Sequence, residues 1–351
     1  MSVIRSHNEW DPIEEMIVGI ATGAHFPTND ISFCLSVDSK SSIPDYKMEE
    51  IKLGPIPDKV IDETNEDLEV LVETLKKLDI VVKRPKPISS KQQIQTPYWK
   101  SELYFAYCPR DIFLVVGETI IETPGMQRSR YFESFCYSDI YREYLQQGAK
   151  WISAPKPKLQ DEDFHLCGTK YSVLKNQEPI FDAANVIRAG YDLFYLVSGG
   201  GNEMGAMWLQ NFLGGEYRVH LCKNMYSGLH IDSTISLLKP GLLLANPSRV
   251  TKENLPQPLK KWEVIYAPPM QNHCSSEVGY ISTDWIGMNL LMLRPDLALV
   301  DAHQTDLIHL LKKYKIDVIP LVLRHGKTLG GGFHCVTLDV RRSGQKQDYF
   351  N

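Results

Sequence analysis

Apolar positions along the chain fall into short β-like runs and longer helical stripes that alternate in a recurring order. Between Asp58 and Asp79, Leu68, Leu71, Val72, Leu75 and Leu78 recur at three and four residues. Acidic residues come early and Lys76–Lys77 late, which predicts a helix whose charges suit its macrodipole. A short strand, Ile80–Lys83, follows. Ile112–Val116 and Thr119–Thr123, parted by Gly117–Glu118, predict a hairpin, followed by a helix over Ser129–Gln147 stopped at Gly148 and a strand at Trp151–Ala154. The same order returns as Ala184–Arg188, Leu193–Val197, a helix over Asn202–Phe212 and a strand at Tyr217–Cys222. A third pass gives Ile231–Leu238, Leu242–Asn246, a helix in Thr251–Trp262 and Glu263–Ala267. A fourth gives Met288–Leu293, Leu297–Asp301, the helix Thr305–Tyr314 and Asp317–Leu323. With Glu15–Ala21 ahead of the first helix, five strand-strand-helix-strand units result.

Such units cannot each bury an apolar face alone, so they must stack, and closing the series into a ring removes exposed sheet edges. The last run, Phe333–Val340, has no helix after it and is expected to pair with the N-terminal unit and fasten the ring. The expected fold is a single α/β domain over residues 1–351, a five-bladed, pseudo-symmetric α/β propeller of ββαβ units. The alternative is an open doubly wound sheet with its site at strand carboxyl ends.

Composition narrows the function. The 38 Lys and Arg against 43 Asp and Glu give a net charge of −5, and no basic stripe occurs to neutralise phosphates, so nucleic acid is not an expected partner. No apolar run approaches the roughly 18 residues a bilayer span needs, and no membrane partner is expected. The start, MSVIRSHNEWDPIEE, lacks a basic region leading into an apolar stretch, so a cytoplasmic location is expected. Seven scattered cysteines without a CxxC pair suggest neither a disulfide framework nor a zinc site.

In three units an ionisable group stands at or just before the first strand: Asp111 in PRD, Asp182 in FDAAN, and His230 and Asp232 in HID. In a ring, equivalent positions converge near the axis. The terminal run adds Cys335 in GGGFHC, beside glycines that let backbone come close to a ligand. A thiolate is a strong nucleophile, His moves protons near neutral pH, and carboxylates hold a planar cation by paired hydrogen bonds. Together these types imply a guanidinium substrate. The same carboxylates would raise the pKa of an isolated thiol, so ionisation of Cys335 should depend on the substrate's charge or on protonated His230. Taken singly, each residue has an ordinary reading: a buried Cys, a structural His–Asp bond, a turn-capping Asp.

Other candidates are weaker. Ser198–Asn202 is glycine-rich but lacks phosphate-loop spacing and a Walker lysine, so a flexible loop is the better reading. His165–Cys167 and His273–Cys274 lack a second pair at ligand spacing, and the aromatic run Tyr131–Tyr144 repeats as core packing does. The long Phe26–Pro57 stretch is a candidate lid or a surface loop. No metal or organic cofactor is proposed.

NEWDPIEEMIVG near the start, PRD at Asp111, EPIFDAANVIRAGYD around Asp182, HIDSTISLLKPGLLLANPSR from His230 to Arg249, and LGGGFHCVTLDVRRSG around Cys335 closely resemble the amidinotransferase family. The resemblance spans nearly the whole chain. It implies a five-bladed α/β propeller and ping-pong transfer of an amidino group from L-arginine to a small amine through a covalent amidino-cysteine, with release of ornithine. Cys335 would be the nucleophile and His230 the proton shuttle. Asp182 would orient His230 and grip the guanidinium, with Asp111 and Asp232 completing the carboxylate set. Arg249 would bind the donor's α-carboxylate, and Ser282 and Thr283 match a substrate-contacting pair. In NMYSGLH, Ser227, Gly228 and Leu229 replace the residues that shape the acceptor site of the glycine-using enzyme. Asp284 stands where that enzyme has a basic residue and Asn185 where it has an acidic one. These departures suggest an acceptor other than glycine, such as a lysine-like amine or an intermediate of specialised-metabolite or toxin biosynthesis. A guanidine hydrolase of the arginine deiminase kind and a non-catalytic arginine-binding propeller are the alternatives, and a homodimer is left open.

Overall fold

A computed structural model describes residues 2–33, 51–88, 93–167, 171–271 and 276–350. The first helix forms at Asp58–Lys76, where its leucine stripe, Leu68, Leu71 and Leu75, is fully buried. Burial on that scale stabilises by about 1.5–3 kcal/mol for each side chain, which far exceeds any propensity effect.

Among the described residues, five three-stranded sheets recur with one internal order, the first two strands antiparallel and the second and third parallel. Four are built in sequence: Phe113–Val116, Thr119–Glu122 and Lys150–Ser153; Val186–Ala189, Asp192–Leu196 and Arg218–Cys222; Ile235–Lys239, Leu242–Ala245 and Glu263–Tyr266; Leu291–Arg294, Leu297–Asp301 and Asp317–Leu321. The fifth joins the two ends of the chain. Ile13–Val18 pairs in parallel with Val81–Lys83 and antiparallel with Thr337–Arg342, matching Val18 to Thr337 and Ile13 to Arg342. The terminal strand therefore pairs with the N-terminal unit, as the lone last strand implies. The strands form separate small sheets, not one doubly wound sheet.

The apolar clusters lie between successive sheets. One joins Ile17 and Leu338 to Phe113 and Tyr144, another Leu114 and Ile121 to Val186 and Leu193. A third runs from Ile187 and Phe194 through Leu243 and Leu244 to Met292 and Val300, and a fourth returns from Leu291 and Leu299 to Met16, Val18 and the first helix. The N-terminal segment laces three sheets, through bridges from Ser6 to Gly117, Asn8 to Ala189 and Arg5 to Arg341.

Several expected elements differ, among them the strands expected from Ile231 and Met288, which begin at Ile235 and Leu291 after 3₁₀ turns. The helix expected over 251–262 does not form; only a 3₁₀ turn at Pro258–Lys261 appears, because Pro256 and Pro258 lack the amide hydrogens a helix would use. The expected helix over 129–147 is α-helical only from Ser138 to Gln146. Its first half breaks into 3₁₀ turns at Arg128–Arg130 and Glu133–Tyr137, which carry Arg130 onto Asp111. The last strand begins at Thr337 and not at Phe333. The four residues before it form a turn, with the Val336 amide donating to Gly332 O, and lift Cys335 out of the sheet. Most of the candidate lid, residues 34–50, lies outside the described residues, as do His273 and Cys274.

Candidate active site

Short helical turns set the ionisable residues at the entrances of the hairpins. Asp111 lies on Pro109–Ile112, Asp182 immediately precedes Ala183–Asn185, and His230 precedes Ile231–Ser233, which carries Asp232. His230 and Asp232 thus sit at a turn, and the strand expected from Ile231 begins only at Ile235. A strand would direct both to one face, whereas here they take separate partners.

His230 Nε2 meets Asp182 Oδ2 at 3.1 Å, and Nδ1 stands 3.6 Å from Asp111 Oδ1. The Cys335 thiol donates to Asp232 Oδ2 at 3.1 Å, and its sulfur accepts from Asn289 Nδ2 at 3.0 Å. The ligating atoms of Asp111, His230 and Cys335 all lie within 4.8 Å of one another. Cys335, His230, Asp182, Asp111 and Asp232 therefore share one site. Among the described residues, Asp111, His230 and Cys335 are also the set whose types and spacing suit a thiophilic divalent ion.

Charge in this site is out of balance. Burial disfavours a charge on His230, but Asp111 and Asp182 at its two nitrogens overrule it and hold its pKa well above the usual histidine value. Burial pushes Asp111 upward against the pull of His230 and Arg130, and its Oδ1 has no hydrogen-bond partner among the described residues. Arg130 binds Asp111 Oδ2 at 2.6 Å but also Glu133, whose carboxyl burial raises to about 7. Burial likewise opposes ionisation of Asp232, yet the His334 hydrogen bond and charge hold it at about 2. The neighbouring Cys108 thiol, burial and the Asp232 carboxylate push the Cys335 thiol well above the usual cysteine value, while His230 pulls it down. Both directions favour a neutral Cys335 thiol beside a charged His230 imidazole.

Arg249 is buried nearby with its guanidinium 3.5 Å from the centre of the Tyr226 ring. Nη1 donates to Ser233 and Thr234, and Nη2 to Thr283 Oγ1 at 2.7 Å, while Nε has no partner among the described residues. Thr283 thus belongs with Arg249. The buried Ser282 hydroxyl also has no partner among the described residues. Ser227 is exposed, with its carbonyl accepting from the Gly199 amide, and Leu229 packs half-buried against the cluster containing Ile180 and Met126. Asn185 donates to Leu196 O and Ser198 Oγ and so braces the 198–201 loop, whose Gly200 carbonyl accepts from the Asp182 amide. That loop is packed beneath Asp182. Asp284 pairs with Lys327.

Several participants carried no local signal. Asn289, Arg130, Glu133 and Cys108 gather around the cysteine and its acids only through long-range contacts, and His334, next to Cys335 in the chain, reaches Asp232 the same way. The glycines before Cys335 make room for protein and not for ligand: a Cβ on Gly331 would fall 2.5 Å from Cys108 Sγ, and one on Gly332 2.8 Å from Asn289 Cβ. Cys335 is only 2% exposed, and a cavity of about 320 Å³ lined by Gln304, Lys327 and Phe333 borders the site at Asn289 and Gly332.

Among the described residues, no helix is long and apolar enough to cross a membrane. No family model matches the chain. Individual relatives do. An inosamine-phosphate amidinotransferase of Streptomyces glaucescens is 47% identical over 99% of both chains. The L-arginine:L-lysine amidinotransferase of Pseudomonas savastanoi pv. phaseolicola is 36% identical over 99% of this chain and 97% of its own. The solved inosamine-phosphate amidinotransferase of Streptomyces griseus superimposes with a TM-score of 0.93 at 48% identity over the full length of both chains. With likeness of this extent to enzymes of one chemistry, the chain belongs to the amidinotransferase family and is an enzyme that transfers amidino groups.

Proposed function

We propose that this enzyme takes the amidino group of L-arginine onto Cys335, releases ornithine, and passes the group to a primary amine other than glycine. The observation that carries this reading is the closeness of the Cys335 thiol and the His230 imidazole to one another and to the carboxylates of Asp111, Asp182 and Asp232. The guanidinium of the donor supplies the missing positive charge among Asp111, Asp182 and Asp232. Bound there, it lowers the cost of a thiolate at Cys335. Arg249, with its unpartnered Nε beside Nη2, offers two parallel donors to the α-carboxylate. Ser282 and Thr283 line the same end, and Ser227 and Leu229 are assigned to the acceptor side.

In the first half-reaction the S–C bond forms, the thiol loses its proton, and the bond from the guanidino carbon to ornithine's side-chain nitrogen breaks as that nitrogen gains a proton. His230 delivers this proton and recovers the one from the thiol. In the second half-reaction the acceptor nitrogen attacks the amidino carbon and the C–S bond breaks; His230 gives the proton it holds to the departing sulfur, restoring the thiol, and takes up the surplus proton of the attacking nitrogen. Deep burial of the sulfur supports transfer over hydrolysis, because the intermediate must meet an amine before water.

The acceptor reading follows the relatives. Their names point to an amine on a cyclitol phosphate first and to lysine second. The five sheets are read as blades of one propeller spanning the chain, supported by apolar clusters that run from sheet to sheet and back to the first. A cytoplasmic location accords with the chemistry.

The test is incubation with L-arginine and a panel of glycine, L-lysine and an aminocyclitol phosphate, with products read by mass spectrometry. Ornithine and an amidinated non-glycine amine are expected, together with intact protein carrying one amidino group at Cys335. Citrulline, or amidination of glycine alone, would overturn the reading.

A further inference from the structure

The sulfur of Cys335 receives a hydrogen bond from the Asn289 side chain, and the direction of that bond is fixed by a second one. The Cys335 backbone amide donates to Asn289 Oδ1 at 2.9 Å. A backbone N–H can only donate, so the oxygen of the side-chain amide must face it, and the NH₂ end must face Sγ, 3.0 Å away. Asn289 is 2% exposed and held further by its own amide on Ile286 O and by its carbonyl, which accepts from the His334 amide. Gly332 makes this arrangement possible, since a Cβ there would fall 2.8 Å from Asn289 Cβ and 2.9 Å from its Oδ1.

We propose that Asn289 is a catalytic residue, a permanent donor to the Cys335 sulfur that stabilises it as a thiolate when it attacks and again when it departs. This deepens the covalent reading above and rests on it. The titratable groups around the sulfur include Cys108, Asp232, Asp111, His230 and Tyr107. Both carboxylates repel a thiolate, and Asp232 is the acceptor of the thiol's own proton. His230 attracts a thiolate, but only while it holds its proton, and the reaction requires it to give that proton away. The Asn289 amide does not titrate. It is the donor on the sulfur whose strength is the same in both half-reactions, and a hydrogen bond to a charged group is worth about a tenfold to a hundredfold change in an ionisation equilibrium.

The experiment measures the rate at which iodoacetamide alkylates Cys335 against pH in the full chain without substrate, with the modified site located by peptide mass spectrometry. Wild type is compared with Asn289→Asp, which keeps the acceptor for the backbone amide, and Asn289→Leu, which has similar size and no charge. Circular dichroism reports whether each is folded. In both variants the rising limb should move to higher pH and the rate at a fixed mildly alkaline pH should drop about tenfold or more. Gly332→Ala, which crowds Asn289, should move in the same direction. A folded Asn289→Asp variant with a wild-type profile would overturn the proposal. So would a shift in Asn289→Asp alone with Asn289→Leu folded and unchanged, since that is the signature of the added charge. Because no arginine is present, failure of the amidino-cysteine scheme would leave this result untouched, and the reverse also holds.

Discussion

Two buried polar clusters meet at His334, and they are built on opposite principles. In the first, Asp339 is fully buried and accepts from Arg110 at 2.6 Å, Arg188 at 2.9 Å, Arg342 at 2.8 Å and Ser6 at 2.6 Å, while Arg188 also binds Glu9 at 2.8 Å. Three arginines answer two carboxylates, and residues from both chain ends and two further sheets are tied together. In the second, Asp111 and Asp182 face the His230 imidazole and Asp232 accepts from the Cys335 thiol, with Arg130 shared between Asp111 and Glu133. His334 touches both, with Nδ1 3.0 Å from Asp232 and Nε2 3.5 Å from Glu9. A buried charge must be compensated. The first cluster is compensated from within and acts as a clamp; in the function proposed above, the second leaves that role to the guanidinium of the donor.

This contrast can be broken at either end. The largest effect is expected for Cys335→Ala, which should lower turnover by about a thousandfold or more at an almost unchanged melting temperature. Retained turnover would dismiss the covalent step. Asp339→Ala should do the opposite, destabilising by about 3–5 kcal/mol in denaturant titration because three guanidinium groups lose their buried partner, while turnover per folded molecule is kept.

The alkaline loss should come from His230 and Cys335 in the second cluster, whereas acid weakens the first through Asp339 and the second through Asp232, held at about 2. His230 holds its proton more tightly folded than unfolded, so its contribution is complete below about pH 6.5 and is lost as pH rises through the higher folded value. Cys335 adds to the alkaline loss, since its thiol ionises more readily once unfolded. For Asp339 the nearby arginines outweigh burial and depress its pKa, so its contribution is complete above about pH 4 and is lost as pH falls through the lower folded value. Thermal melts across pH should therefore show an alkaline decline that His230→Asn flattens and an acid decline that it leaves alone. The smallest effect is expected for Asp111→Asn: a melting temperature unchanged or raised, because a carboxylate that burial disfavours is removed, with a higher KM for the arginine donor. A clear loss of stability would mean that Asp111 is structural.

The expected elements match well where a strong apolar period meets an ordinary stop signal. Asp58–Lys76, Glu203–Leu213 and Thr305–Lys313 lie within a few residues of their expected spans. The failures have causes of two kinds. Pro256 and Pro258 were local signals that outweighed the apolar pattern of 251–262. The broken start of the 129–147 helix had no such signal, because it answers to Asp111 across the fold.

The chain by itself determined its recurring order of a hairpin and a following strand, the pairing of its last strand with its first unit, and the residue types gathered at its candidate site, because periodicity and side-chain chemistry are local properties. Only the tertiary structure decided that Asp232 meets the thiol, that Asn289 points its amide hydrogens at the sulfur, and that one buried acid cluster is neutralised while its neighbour is not. Those outcomes depend on contacts between residues tens to hundreds of positions apart, and charge compensation is a property of the folded neighbourhood that no stretch of sequence contains.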